Sequence, residues 1–307
     1  MNVADTRAVL TGNAVAVPTT IWKQPGVLDL EANAGNAEFL FANGITAAVY
    51  AGGVGEHDLL SPDQQVELLA AVAPAARANA DNPCLGTGLG RTLERVKQLA
   101  PALADLDISF AMMMPPAAGD PEEQFAYFSE VMEILTGHGI GPMLYPRPEH
   151  PMKVSTLERL MDVCEVPGVK LANNGLLLEY AEMVGRLGHE RTAWLCGTAG
   201  WWMPAYAAVG AARGMSTGIG NAFPDVPLGL LKHLADGSFE RDDTYWTMVR
   251  IEQIRQRDKS YIALVIKQLQ ELAGLAGGMN GDGSELPDAV KSEVENLVRD
   301  ACWLSGR

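Results

Sequence analysis

Nowhere in the 307 residues is there an apolar run of 18, so nothing reads as a membrane-spanning helix. The first thirteen residues lack the basic and apolar regions of a secretory signal, and the cytoplasm is the expected compartment. Basic residues are scarce: 23 Lys and Arg stand against 38 Asp and Glu, a formal net charge of −15. Nucleic acid and anionic membrane surfaces are not expected partners, because both need basic patches. An anionic substrate would have to be met by local donors rather than by a global field. Cysteine is sparser still. Cys84, Cys164, Cys196 and Cys302 lie far apart without CxxC spacing, which argues against a zinc site or a disulfide framework and for free thiols. The five histidines show no pairing at metal-ligand spacing, so neither metal-dependent aldol chemistry nor any other cofactor is implied.

What is present is a chain that is 48% hydrophobic and 20% charged, enough for a large core in one barrel or two ordinary domains. Short β-type runs recur with helical stretches between them, at 14–17, 47–50, 83–86, 108–113, 142–145, 168–171, 193–197 and 214–217. Ser61-Pro62-Asp63 and Asp120-Pro121-Glu122-Glu123 each carry an N-cap, a proline at the first helical position and early acid. In the second helix Phe125, Phe128, Met132 and Leu135 recur at spacings of three and four, which predicts one buried face. Eight strands, each followed by a helix, predict a (β/α)8 TIM barrel over residues 1–224, with a doubly wound open sheet as the competing architecture. After Thr217 only helical patterns remain, at 226–235, 242–257, 260–276 and 287–305, so residues 225–307 are expected to form a C-terminal helical extension. By composition, the Gly277-to-Gly283 stretch reads as a mobile loop.

Active sites of such barrels lie at the C-terminal ends of the strands. Lys170 ends one apolar run and Tyr145 ends the run before it, a pairing that suggests Schiff-base carbonyl chemistry. A lysine nucleophile must react as the free amine, whereas an ordinary ammonium, with a pKa of about 10.4, is charged at neutral pH. A shielded strand end is therefore the setting to look for, and Val166, Val169 and Leu171 are the expected apolar surroundings. The second run leads into Ala51-Gly52-Gly53-Val54-Gly55-Glu56, whose backbone N–H groups could meet a carboxylate. A tight turn eased by glycine is the plainer reading. The glycines of 86–91 lack the spacing of a nucleotide fingerprint.

Taken together, these features resemble the dihydrodipicolinate synthase and N-acetylneuraminate lyase family of class I aldolase-like barrels. The resemblance rests on Thr19-Thr20, the Gly52-to-Glu56 turn with Leu60-Ser61, Tyr145 with Pro148, Gly168-Val169-Lys170, and Gly214-Met215-Ser216-Thr217 leading to Asn221 and Pro224. It implies that Lys170 is the Schiff-base nucleophile toward pyruvate or another 2-keto acid, and that Tyr145 is its proton-transfer partner. It further implies that the Gly53 and Val54 amides hold the carboxylate and that the Ser216 carbonyl lies near the lysine. Aldol cleavage or condensation with an aldehyde-like or sugar-acid second substrate is the expected reaction. The alternatives are dehydration of a 2-keto-3-deoxy sugar acid and a barrel that binds a small acid without turnover. A homodimer or homotetramer is implied as well.

The departures from the family are specific. The family turn carries hydroxyl residues where Gly53 and Val54 stand, so backbone amides alone remain as donors. Met114-Pro115-Pro116-Ala117-Ala118 offers no relay hydroxyl, and His150 occupies the place of the arginine that the synthases use for their second substrate. Both losses count against a lysine-biosynthetic role. Arg147 is the candidate for a different acidic group, and Trp22, Trp201, Trp202 and Met203 would make the mouth less polar if they faced it.

Overall fold

The computed structural model describes all residues except 115, 117, 118, 147–151, 199 and 305–307. Among the described residues ten strands form: β1 (Ala14–Ala16), β2 (Trp22–Gln24), β3 (Val27–Leu28), β4 (Ala47–Tyr50), β5 (Cys84–Gly88), β6 (Phe110–Met113), β7 (Gly141–Leu144), β8 (Gly168–Leu171), β9 (Ala193–Cys196) and β10 (Gly214–Thr217). Eight of them close into a barrel in the order β1-β10-β9-β8-β7-β6-β5-β4, which removes the open sheet from consideration. These are the eight runs read from the sequence, with ends displaced by no more than two residues. From β5 through β10 every neighbouring pair is parallel. The hairpin β2–β3 was not expected; it turns at Pro25-Gly26, where Gly26 has φ +72°.

Side chains alternate across each strand, and the barrel interior collects every second residue. Ala47 and Val49 from β4, Phe110 and Met112 from β6, and Ala193 and Leu195 from β9 belong to one buried cluster, with Met143 and the half-buried Tyr145 at its upper end. Gly86 explains itself here. A Cβ at that position would lie 2.4 Å from the Phe110 ring, so the glycine makes room for the largest side chain of the cluster.

The helix starts follow their local chemistry. The Ser61 hydroxyl accepts from Gln64 N at 3.1 Å while Gln64 Oε1 accepts from Ser61 N at 3.0 Å, closing a capping box at the start of Pro62–Asn79. Asp120 and Glu123 do the same for Pro121–Gly137. The buried face of that second helix differs from the expected one. Gln124, Phe128, Val131, Met132 and Leu135 are buried, whereas Phe125 is half-buried with the Arg159 guanidinium 4.1 Å above its ring. A partner from the next helix covers it, which spacing within one helix cannot reveal.

The chain sorts into two compact units. Residues 1–15, 46–49 and 84–216 hold most of the barrel strands together with the helices between β5 and β10. Residues 16–45, 50–83 and 217–307 hold the hairpin, the helices Leu30–Ala42 and Pro62–Asn79, and the four C-terminal helices Asp225–Ala235, Asp243–Arg255, Tyr261–Leu272 and Asp288–Asp300. Among the described residues no helix is long and apolar enough to cross a membrane. The Gly277-to-Gly283 stretch is tied down in the second unit: Gly281 O accepts from Gly26 N at 2.9 Å, and Gly281 N donates to Glu56 Oε1 at 2.9 Å. Composition pointed to mobility, but its backbone groups have found partners far away in sequence.

All four cysteines are free, two of them buried. Burial pushes the Cys84 thiol up to about 12 and the Cys196 thiol up to about 11. A colorimetric thiol titration of the native protein at pH 8 should label the exposed Cys302 quickly, the half-buried Cys164 slowly, and Cys84 and Cys196 only after guanidinium is added.

Candidate active site

Register places the chemistry. Leu144 of β7 pairs with Val169 of β8, and Lys170 pairs with Leu195 of β9. Paired residues of parallel strands share a face, so Lys170 points the same way as the core residue Leu195, and Tyr145 continues the interior row beside it. Val169 and Leu171, expected to surround the lysine, face the opposite side of the strand by the same alternation. Their burial is in the layer outside the barrel wall, and they do not line the amine.

Lys170 is 7% exposed, and its Nζ sits 4.2 Å from the centroid of the Tyr145 ring. A cation at that point is attracted by the negative face of the ring. The contact recorded is with the ring face. The stem of Lys170 is confined from above by Gly197, which follows β9 and donates its N–H to Leu171 O at 2.7 Å. A Cβ on residue 197 would fall 2.7 Å from Lys170 Cγ, 2.9 Å from Leu171 O and 3.0 Å from Ala172 Cβ. The lysine can stand where it does because this position has no side chain, a requirement the sequence reading did not identify.

Ser216 is buried on β10, separated from β8 by β9. Arg147 lies outside the described residues, as do Pro148 and His150. Past the ends of β8 and β9 a polar cluster forms that the sequence reading missed. Asn174 Oδ1 accepts from Thr198 Oγ1 at 3.0 Å and from Tyr206 Oη at 3.2 Å, with Cys196 Sγ 3.6 Å from Thr198 Oγ1. Burial raises the Tyr206 phenol above its ordinary range, so it stays protonated and able to donate. Burial dominates at the Cys196 thiol too, opposed by hydrogen bonds with Thr198 and by the charge of Lys170.

The glycine-rich turn belongs to the second unit. Ala51 and Glu56 flank it in left-handed backbone, at φ +48° and +55°. Thr20 Oγ1 donates to Gly55 O at 2.7 Å, while Thr19 Oγ1 donates to Gln270 Oε1 at 2.7 Å. Gly53 is exposed and Val54 half-buried, and their amide N–H groups have no protein partner among the described residues. Trp22 is buried and bonded to Glu56, so it packs rather than lines a mouth. Met203 is buried, and Trp201 and Trp202 lie against one another with ring centroids 5.4 Å apart. Among the described residues no three His, Cys, Asp or Glu side chains gather as a metal ion would require.

The closed eight-stranded α/β barrel thus holds a buried lysine over the ring of a tyrosine that follows the adjacent strand. The model of the dihydrodipicolinate synthetase family matches residues 10–280, and the chain belongs to that family. Membership makes it a lyase. A relative from Chelativorans sp. (strain BNC1), a probable 5-dehydro-4-deoxyglucarate dehydratase, is 26% identical over 97% of each chain. Among solved structures, the dihydrodipicolinate synthase from Bacillus clausii matches 96% of this chain and 98% of its own with a TM-score of 0.84 at 23% identity. The Ruminococcus gnavus sialic acid aldolase has the same coverage and TM-score at 16% identity. Both likenesses speak to the fold.

The substitution Gly197→Ala should displace the Lys170 side chain or the strand beneath it. Turnover should fall by about 10²-fold, the scale of loss that a misplaced reacting group brings. Steady-state kinetics alongside a thermal melt will separate this from unfolding, and an active, normally melting variant would show that the close approach is not needed.

Proposed function

We propose that this chain acts on 2-keto acids with Lys170 as the Schiff-base nucleophile, the reading best supported by one observation: a buried amine held 4.2 Å over the Tyr145 ring inside the barrel. The amine adds to the C2 carbonyl and water leaves, giving an iminium that draws electrons from C3. Loss of a C3 proton then yields an enamine. Tyr145 carries protons to and from the departing oxygen, the role its place beside Nζ suits. Gly53 and Val54 supply amide donors for the substrate carboxylate, the Ser216 carbonyl keeps the place near the lysine that the resemblance gives it, and Arg147 is the candidate to meet a further acidic group.

What leaves C3 of the iminium sets the reaction. Loss of the C3 proton gives the enamine, which expels hydroxide from C4 in dehydration, whereas in the aldol route the C3–C4 bond of the iminium breaks as the C4 hydroxyl gives up its proton, releasing an aldehyde and leaving the enamine. A relative that matches nearly end to end is named for a dehydratase of a keto-deoxy sugar diacid, and this supports dehydration of a 2-keto-3-deoxy sugar acid as the first reading. Aldol cleavage or condensation is the second; the residues that follow β6 offer no relay hydroxyl of the synthase kind, which counts against a lysine-biosynthetic condensation. A homodimer or homotetramer working in the cytoplasm completes the proposal.

Borohydride added with pyruvate should reduce the imine and add covalent mass at Lys170. Lys170→Ala should abolish that adduct while the protein still melts cooperatively; an adduct that survives would move the nucleophile elsewhere, and a wild-type protein that traps no 2-keto acid would leave a binding barrel. For Tyr145→Phe, imine should still form while turnover drops by roughly 10²-fold or more, and unchanged turnover would remove the phenol from the mechanism. Mass analysis of products from 2-keto-3-deoxy sugar acids decides the branch: loss of water with the carbon chain intact marks dehydration, and pyruvate plus an aldehyde marks aldol cleavage.

A further inference from the structure

The glycine-rich turn ends on a carboxylate for which the proposed chemistry has no use. Glu56 is buried, and both of its oxygens are taken: Oε1 accepts from Gly281 N at 2.9 Å, and Oε2 accepts from Lys267 Nζ at 2.6 Å and from Trp22 Nε1 at 3.2 Å. Lys267 is fully buried on the helix Tyr261–Leu272, and its ammonium also donates to Met279 O at 2.6 Å and to Asn280 Oδ1 at 3.3 Å. Every proton of the ammonium has an acceptor. The pair joins residues 211 apart in sequence and ties the turn to the β2–β3 hairpin, a C-terminal helix and the 277–283 loop.

Stability alone is a poor reason for such an arrangement, because an apolar pair of similar volume is often as stable as a buried ion pair. The geometry of the turn offers a better one. Both of its flanking non-glycine residues are held in left-handed backbone, which persists only where the surroundings enforce it. Gly55 is pressed so closely that a Cβ would lie 2.8 Å from Pro18 O and 2.9 Å from Ala51 N. Between these fixed points stand Gly53 and Val54, whose only polar donors are their amides. A hydroxyl side chain can rotate to find an anion, but an amide N–H points where φ and ψ direct it. In this turn the backbone must be aimed by something else.

We infer that the Glu56–Lys267 pair is a positioning device that fixes the Gly52-to-Gly55 turn in the conformation whose amides receive a carboxylate. This rests on the reading above that the chain binds 2-keto acids. Glu56 and Lys267 touch no substrate; they act through the backbone that Glu56 terminates, and Trp22 and Gly281 hold the carboxylate of Glu56 in place. The consequence is selective. Loosening the pair weakens recognition of the carboxylate and leaves the reactivity of the carbonyl-binding amine intact.

The test compares pyruvate with hydroxyacetone, a carbonyl compound without a carboxylate, by the concentration dependence of borohydride trapping followed by mass spectrometry. The double variant Glu56→Gln/Lys267→Met removes both charges together and avoids stranding one of them, and Trp22→Phe removes a single donor to Glu56 should the double variant fail to melt cooperatively. In the double variant the half-saturating pyruvate concentration should rise by about tenfold, with the limiting trapping rate and the hydroxyacetone profile within twofold of wild type. Trp22→Phe should shift pyruvate alone, in the same direction and by less. A folded variant with wild-type half-saturation for pyruvate overturns the inference, as does equal loss for both carbonyl compounds. If the wild-type protein traps neither pyruvate nor other 2-keto acids, the functional reading fails, and this inference fails with it.

Discussion

The chemistry proposed for this protein depends on strand register. In the parallel run β7–β8–β9, Leu144 is opposite Val169 and Lys170 is opposite Leu195, and these pairings put the amine and the phenol ring on the inner face. A slip of one residue would exchange the faces, leaving Lys170 in the apolar layer where Val169 and Leu171 are now and one of those side chains at the centre of the barrel. Two features support the register. The buried row of Phe110, Met112, Met143 and Leu195 requires the same parity, and Gly197 leaves clear the space that the lysine stem crosses.

Away from the barrel core, the same economy of space is met with charge. The second unit buries a lysine and a glutamate against one another, and the indole of Trp22 and the backbone of residues 279–281 complete their hydrogen bonds. An ion pair in such surroundings holds direction as well as distance, since each bond demands its own angle. That suits a turn whose only donors to a ligand are amides. Gly281 shows how close the fit is, for a Cβ there would come 2.6 Å from the Trp22 ring.

Family membership extends over residues 10–280 while identity to the Chelativorans dehydratase relative is 26%. Such a combination is what a shared electron-sink intermediate allows. On the mechanism proposed above, one enamine serves dehydration, aldol cleavage and condensation alike, so the nucleophile and its barrel can stay the same while the groups around the substrate change. Gly53 and Val54, the residues following β6 and the aromatic residues after β9 are places where this chain differs from the synthases or adds its own character.

Much of the architecture was legible because its signals are local. Short β-type runs recurring between helical stretches marked eight strands, serine and aspartate before proline marked helix starts, and strand ends pointed to Lys170 and Tyr145, which the fold brings together. What was not legible depends on neighbours distant in the chain. Phe125 leaves the buried face because Arg159 comes from another helix, the 277–283 loop is pinned because Glu56 and Gly26 reach it, and Gly197 matters because the stem of Lys170 passes beneath it. The sequence alone determined the eight barrel strands and the starts of helices between them, and it singled out the candidate reactive residues, since apolar runs and capping act within a few residues. Only the tertiary structure decided which face each reactive group takes and what holds it there, because register and buried ion pairing are set by contacts between segments that adjacent residues do not encode.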